Sequence, residues 1–230
     1  MLLLTRSICA ILLALSFLLD RAHGWFFHGR ELIGYRAVTE DQARFINDGN
    51  KLSTEEIYDK PGESLNQIGE GFYLYNDPSC GNEKPSENNW FCAIEADKEK
   101  MAKATKVWIQ EFWTRWASDD ESVELDLWAG DESLVKQYIR WELRRSPVRA
   151  LRFSWIILNG WKPQMVIPND TIRRNALQIW AQCYRTKEEL YRYSSEIINW
   201  EAKWEINGEA GLPSVGSFSM VPDTFDPMVS

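Results

Sequence analysis

QIGEGFYLYNDP, residues 67–78, is the stretch on which the reading of this chain turns. Gly69 and Gly71 flank Glu70, the run Phe72-Tyr73-Leu74-Tyr75 follows, and Asp77-Pro78 closes it. A short β-prone run bounded by turn residues predicts a strand over 72–75. Glycine beside a strand marks a bulge, a tight turn, or a place where a backbone or a ligand comes close. Tyr73 is thus either a contact for a flat ligand ring or a core residue.

Outward from this strand the chain alternates short elements. Leu32 to Val38 predicts a strand, and Thr39 with Gln42 three residues later predicts a capped helix ending near Asp48-Gly49. Residues 51–69 read as a polar loop. Strands are expected over Trp90–Ala96 and Lys106–Ile109, with a short helix between them. Leu134, Val135, Tyr138, Ile139 and Leu143 keep a helical period. Ser146-Pro147 starts a new element in the manner of an N-cap and N1 proline. Phe153–Leu158 and Gln164–Ile167 read as strands around a turn at Asn159-Gly160. A short helix over Asp170–Leu177, a strand over Ile179–Tyr184 and a helix capped by Thr186 follow, and Trp200–Ile206 is expected to close the sheet. Strands and helices mix without βαβ alternation, which predicts an α+β fold with a largely antiparallel sheet.

The N-terminus is read separately. Arg6 is a positive n-region, Ile8 to Leu19 is apolar, and Ala22-His23-Gly24 has the form of a cleavage site. Residues 1–24 are expected to be a secretory signal peptide, too short for a membrane span. The remainder predicts one globular domain over 25–206 and a disordered tail over 207–230, where Gly, Pro and Ser dominate. The chain carries a net charge of −8 and 12 tryptophans. Such acidity argues against general nucleic-acid binding. Export favours a disulfide. Cys92 and Cys183, both in strand-like segments, are the favoured pair; Cys80 with Cys92 is the alternative. Asn169-Asp170-Thr171 is a glycosylation sequon in an expected turn.

Chemistry is restricted by composition. His28 alone remains after processing, so a Ser-His-Asp triad, a Cys-His pair or a zinc site would each depend on it. No phosphate-binding glycine motif appears beyond Gly69-x-Gly71. Paired carboxylates are plentiful, but spacing selects none. The tryptophan-rich segment Trp108–Trp116 reads first as packing and second as a carbohydrate-stacking surface.

Three stretches in order, Gly34-Tyr35-Arg36, Gly69-Glu70-Gly71-Phe72-Tyr73-Leu74 and Gln164-Met165-Val166-Ile167-Pro168, resemble the ADP-ribosyltransferase superfamily over residues 32–184. The layout is also similar to a group of secreted proteins of filamentous fungi. The resemblance implies a split antiparallel sheet and NAD as substrate, with no metal. Arg36 would contact the ribose or phosphates, Gly71 would let the ligand approach, and Tyr73 would lie against the nicotinamide. Guanidinium–phosphate pairing and a ring facing a flat cation make chemical sense of this. The family's catalytic glutamate corresponds to Gln164, whose amide carries no charge. Glu70 is the nearest acid that could replace it.

The resemblance, together with export, therefore implies a secreted protein that binds NAD or an ADP-ribose-like ligand, a toxin or host-directed effector; if active, it would cleave the nicotinamide–ribose bond as a mono-ADP-ribosyltransferase or NAD glycohydrolase, passing ADP-ribose to a protein or to water. Two alternatives stand beside it: an inactive binding module with the same fold, and an unrelated secreted domain that binds sugar through exposed tryptophans.

Overall fold

The computed structural model describes residues 29–52, 66–80, 89–116, 121–144, 146, 148–156 and 162–211. The chain begins with a long strand, β1 (Arg30–Thr39), followed by α1 (Glu40–Gly49). The predicted capping box is present: Thr39 accepts from the Gln42 amide while the Gln42 side chain accepts from the Thr39 amide. Then come β2 (Phe72–Tyr75), β3 (Asn89–Asp97), α2 (Lys98–Lys103) and β4 (Lys106–Trp108). A two-stranded antiparallel ribbon, β5 (Phe112–Trp116) with β6 (Ser122–Asp126), precedes α3 (Glu132–Leu143). The rest is β7 (Leu151–Trp155), β8 (Pro163–Ile167), α4 (Asn169–Arg173), β9 (Trp180–Tyr184), α5 (Lys187–Tyr193) and α6 (Trp200–Lys203).

Seven strands form one sheet in the order β4-β7-β8-β2-β1-β3-β9. Every pairing is antiparallel except β4 with β7. The fold is therefore α+β with a largely antiparallel sheet and short helices. β1 and β2 share one registered pair, Tyr35 with Tyr75, whereas β1 and β3 pair from Arg30–Asp97 to Thr39–Asn89. The sheet thus consists of two sub-sheets touching at one point.

Strand alternation sends successive side chains to opposite faces. On one face Phe72, Leu74, Met165, Ile167, Leu151 and Phe153 enter the larger core. On the other, Tyr73 and Val166 pack with Val135, Tyr138 and Ile139 of α3. The disulfide joins Cys92 to Cys183 directly across β3 and β9, and Cys80 remains a thiol. Lys106, 2 % exposed, turns its ammonium back onto the carbonyls of Met101 and Ala104 at the end of α2. Burial pushes its pKa down.

Several expectations need correction. Trp200–Ile206 does not close the sheet; it contains α6, capped by Asn199 through the Ala202 amide. Trp200 and Trp204, four apart, both pack on Phe153, a helical spacing rather than alternation. The helix read over 170–177 ends at Arg173 and continues as turns. After Ser146 the next element is the strand β7; Pro147 lies outside the described residues. The first residues of the expected tail, 207–211, are part of the fold. Asn207 exchanges backbone bonds with Lys106 and Trp108, and the Trp155 indole donates to the Gly211 carbonyl at 3.1 Å. Residues 1–28, the turn at Asn159-Gly160 and residues 212–230 lie outside the described residues. Asn169 of the sequon is the first residue of α4, half-buried, and the Thr171 hydroxyl donates to the Arg149 carbonyl.

Candidate functional site

The glycines of the opening motif have a local explanation. Gly69 has φ +90°, and a Cβ there would lie 2.1 Å from Glu132 Oε2 and 2.4 Å from Arg152 Nη1. Gly71 has φ +151°, and its Cβ would meet the Ile167 carbonyl oxygen at 2.5 Å. What comes close is the protein's own backbone and a buried ion pair. Arg152, from β7, is fully buried and donates to both Glu132 oxygens at 2.6 and 2.8 Å and to the Ile68 carbonyl at 3.0 Å. Glu132, from the first turn of α3, also accepts from the Glu70 amide at 2.8 Å and pairs with Lys136. Burial opposes ionisation of Glu132, but Arg152, Lys136 and the Glu70 amide outweigh it and hold its pKa below the usual carboxylate range.

Tyr73 is sealed in the same structure. It is 5 % exposed, its hydroxyl donates to the Gly69 carbonyl at 2.7 Å, and it accepts from the Ile68 amide at 3.1 Å. Arg36 lies on the other face of the sheet, its guanidinium 4.4 Å over the Phe72 ring. Gln164 shares the Tyr73 face but is 4 % exposed and donates to Ser154 at 3.0 Å. Glu70 is exposed, with its amide on Glu132. Arg36 therefore stands apart from Tyr73 and Gln164, which are buried on the opposite face of the sheet, while Glu70 is exposed outside both.

The open aromatic surface lies elsewhere, between the β5–β6 ribbon and α3. Trp113 is 6 % exposed and anchors the ribbon, its ring 5.8 Å from Tyr138 and 5.7 Å from Trp141. The ribbon is held at its base by the Trp128 indole, which donates to the Ile109 carbonyl at 2.9 Å. Asp131 caps α3 through the amides of Ser133 and Leu134. On α3, Gln137, Arg140 and Trp141 stand at spacings of three and four, hence on one face. Arg115 shares the α3-facing side of β5 with Trp113, whereas Thr114 and Trp116, at the alternate positions, turn to the ribbon's other face; all three border the groove. This groove, between the ribbon and α3, has a volume of about 510 Å³.

Two indoles are open to solvent here, Trp116 at 68 % and Trp141 at 59 %. Trp141 is backed by buried Trp113 and by Tyr138, whose ring is 6.2 Å away. A ring braced from behind offers a fixed flat face. Arg115 and Arg140 stand one on each wall, both exposed and neither in an ion pair among the described residues. Among the described residues, no acid lines the groove. A second cleft, of about 520 Å³, lies beside Asp97 and Trp180, but its Arg30 is already stacked 5.6 Å over the Trp180 ring.

The segment Trp108–Trp116 was read mainly as packing, which fits Trp108 and Trp113 but not Trp116. The available signal was Trp141: it falls on the flank of the apolar stripe of α3, beside Arg140 and four residues after Gln137. Among the described residues no group of three His, Cys, Asp or Glu side chains could hold a metal, and no helix is long and apolar enough to cross a membrane. Residues 66–209 match the model of DUF5910, a family of unknown function. No curated protein matches the chain.

Proposed function

The chain belongs to the DUF5910 family, and on that premise we propose that it is a secreted binding module that holds a saccharide in the groove between the ribbon and α3. The observation that carries this reading is the exposed Trp141 indole, braced from behind by Trp113 and Tyr138 at the wall of the groove. The electron-rich face of an indole attracts the C–H face of a pyranose, while Gln137, Thr114 and the arginines supply hydrogen bonds around it. Export is supported by the leader-like N-terminus and the Cys92–Cys183 disulfide.

The finer description of the fold as ADP-ribosyltransferase-like belongs to the same proposal. It is supported by the two sub-sheets meeting at Tyr35–Tyr75. On this reading the protein keeps the scaffold without the chemistry, since Gln164 is buried against Ser154 and Tyr73 is closed off. Incubation with NAD should release no nicotinamide above a heat-killed control. Calorimetric titration with a panel of neutral and acidic oligosaccharides should detect binding that Trp141→Ala weakens about tenfold or more. Nicotinamide release, or binding indifferent to Trp141, would overturn the reading.

A further inference from the structure

We propose that the saccharide is a polyuronate, an oligosaccharide carrying a carboxylate on successive rings; this rests on the saccharide reading of the groove. The argument is charge complementarity. The chain as a whole carries a net charge of −8, which repels polyanions. The groove departs from that background: among the described residues that line it, the charged ones are Arg115 and Arg140. The two arginines come from different elements, β5 and α3, so they flank the stacking surface rather than cluster at one end.

A guanidinium presents a planar fork of donors that matches a carboxylate in two parallel bonds. A pyranose ring stacked on Trp141 projects its substituents sideways, toward the walls where the forks stand. Flat indole faces beside exposed cations thus suit a ring whose edge bears a negative charge. A neutral sugar would use the faces and leave the forks in water. An acidic peptide would use the forks, but it lacks the flat C–H face that the open, braced indole of Trp141 matches.

The test uses the secreted chain and one polymer in two charge states. Oligogalacturonate is titrated calorimetrically beside the same oligomer fully methyl-esterified, which keeps the rings and removes the charge. The acid is expected to bind about tenfold more tightly at low ionic strength, an advantage that shrinks as salt rises. Arg115→Gln with Arg140→Gln should abolish the difference between acid and ester. Both side chains are exposed, so folding is not at stake. Arg174→Gln, at the end of α4, outside the groove lining and paired with Asp170, controls for a general change in charge. Equal affinity for acid and ester overturns the polyuronate assignment while the saccharide reading stands. Failure of both forms and of the neutral panel overturns both. Polyglutamate displacing the oligosaccharide at equal concentration would overturn the assignment in favour of an acidic peptide.

Discussion

Arg152 is a fully buried cation on a sheet strand, and Glu132 supplies its counter-charge. Removing that partner leaves an uncompensated charge in the core, so Glu132→Ala should cost about 3–5 kcal/mol in denaturant unfolding. A cost below about 1 kcal/mol would show that the pair is dispensable. A carboxyl whose folded pKa lies below its unfolded value stabilises the fold above that unfolded value. For Glu132 this contribution is complete above its ordinary 4.5 and is lost as pH falls through the depressed folded value. Thermal stability should therefore decline below about pH 4.5, and Glu132→Gln should flatten part of that decline. Gly71→Ala would force a Cβ to 2.5 Å from the Ile167 oxygen at a backbone angle of +151°. A loss of about 2–4 kcal/mol is expected, measurable by the same unfolding experiment. The two glycines were legible as a constraint from sequence alone. What they approach was not, because Arg152 and Glu132 are distant in the chain and meet only when α3 packs on the sheet.

Elements with a buried stripe or a cap were readable one by one. The Thr39–Gln42 box and the Thr186 cap both stand where the residues put them. The Cys92–Cys183 staple joins two strands separated by 91 residues. Its reduction should lower stability by about 3 kcal/mol and the melting temperature by roughly 10 °C, read as melting with and without reductant. An unchanged melting temperature would mean that the β3–β9 ladder suffices without it. The β5–β6 ribbon escaped the sequence for a physical reason. Trp113 alone among its strand residues is buried, so the apolar alternation that marks a strand is missing. α6 was misread because Trp200 and Trp204 look strand-like by composition, although their spacing of four is helical.

At the scale of the molecule, α6 lies where the two sub-sheets diverge. The Trp200 indole donates to the Ile33 carbonyl of β1 at 3.0 Å and packs edge-on against Phe153 of β7, 5.4 Å away. Trp204 reaches Glu31 in the same way. Trp200→Phe keeps an aromatic ring but leaves the Ile33 carbonyl without that donor, and should cost about 1–3 kcal/mol. Circular dichroism and tryptophan fluorescence should still report one coincident transition; two separate transitions would mean that the halves unfold independently. The sequence by itself determined the α+β class, most element positions, the caps and the favoured disulfide, because each follows from local periodicity, turn chemistry and cysteine placement. Only the tertiary structure decided which aromatic rings face water. Tyr73 and Trp141 are alike in composition, yet one is closed by its own loop and the other is left open between α3 and a ribbon. Burial depends on which distant elements come to rest against a residue, and nothing local encodes that.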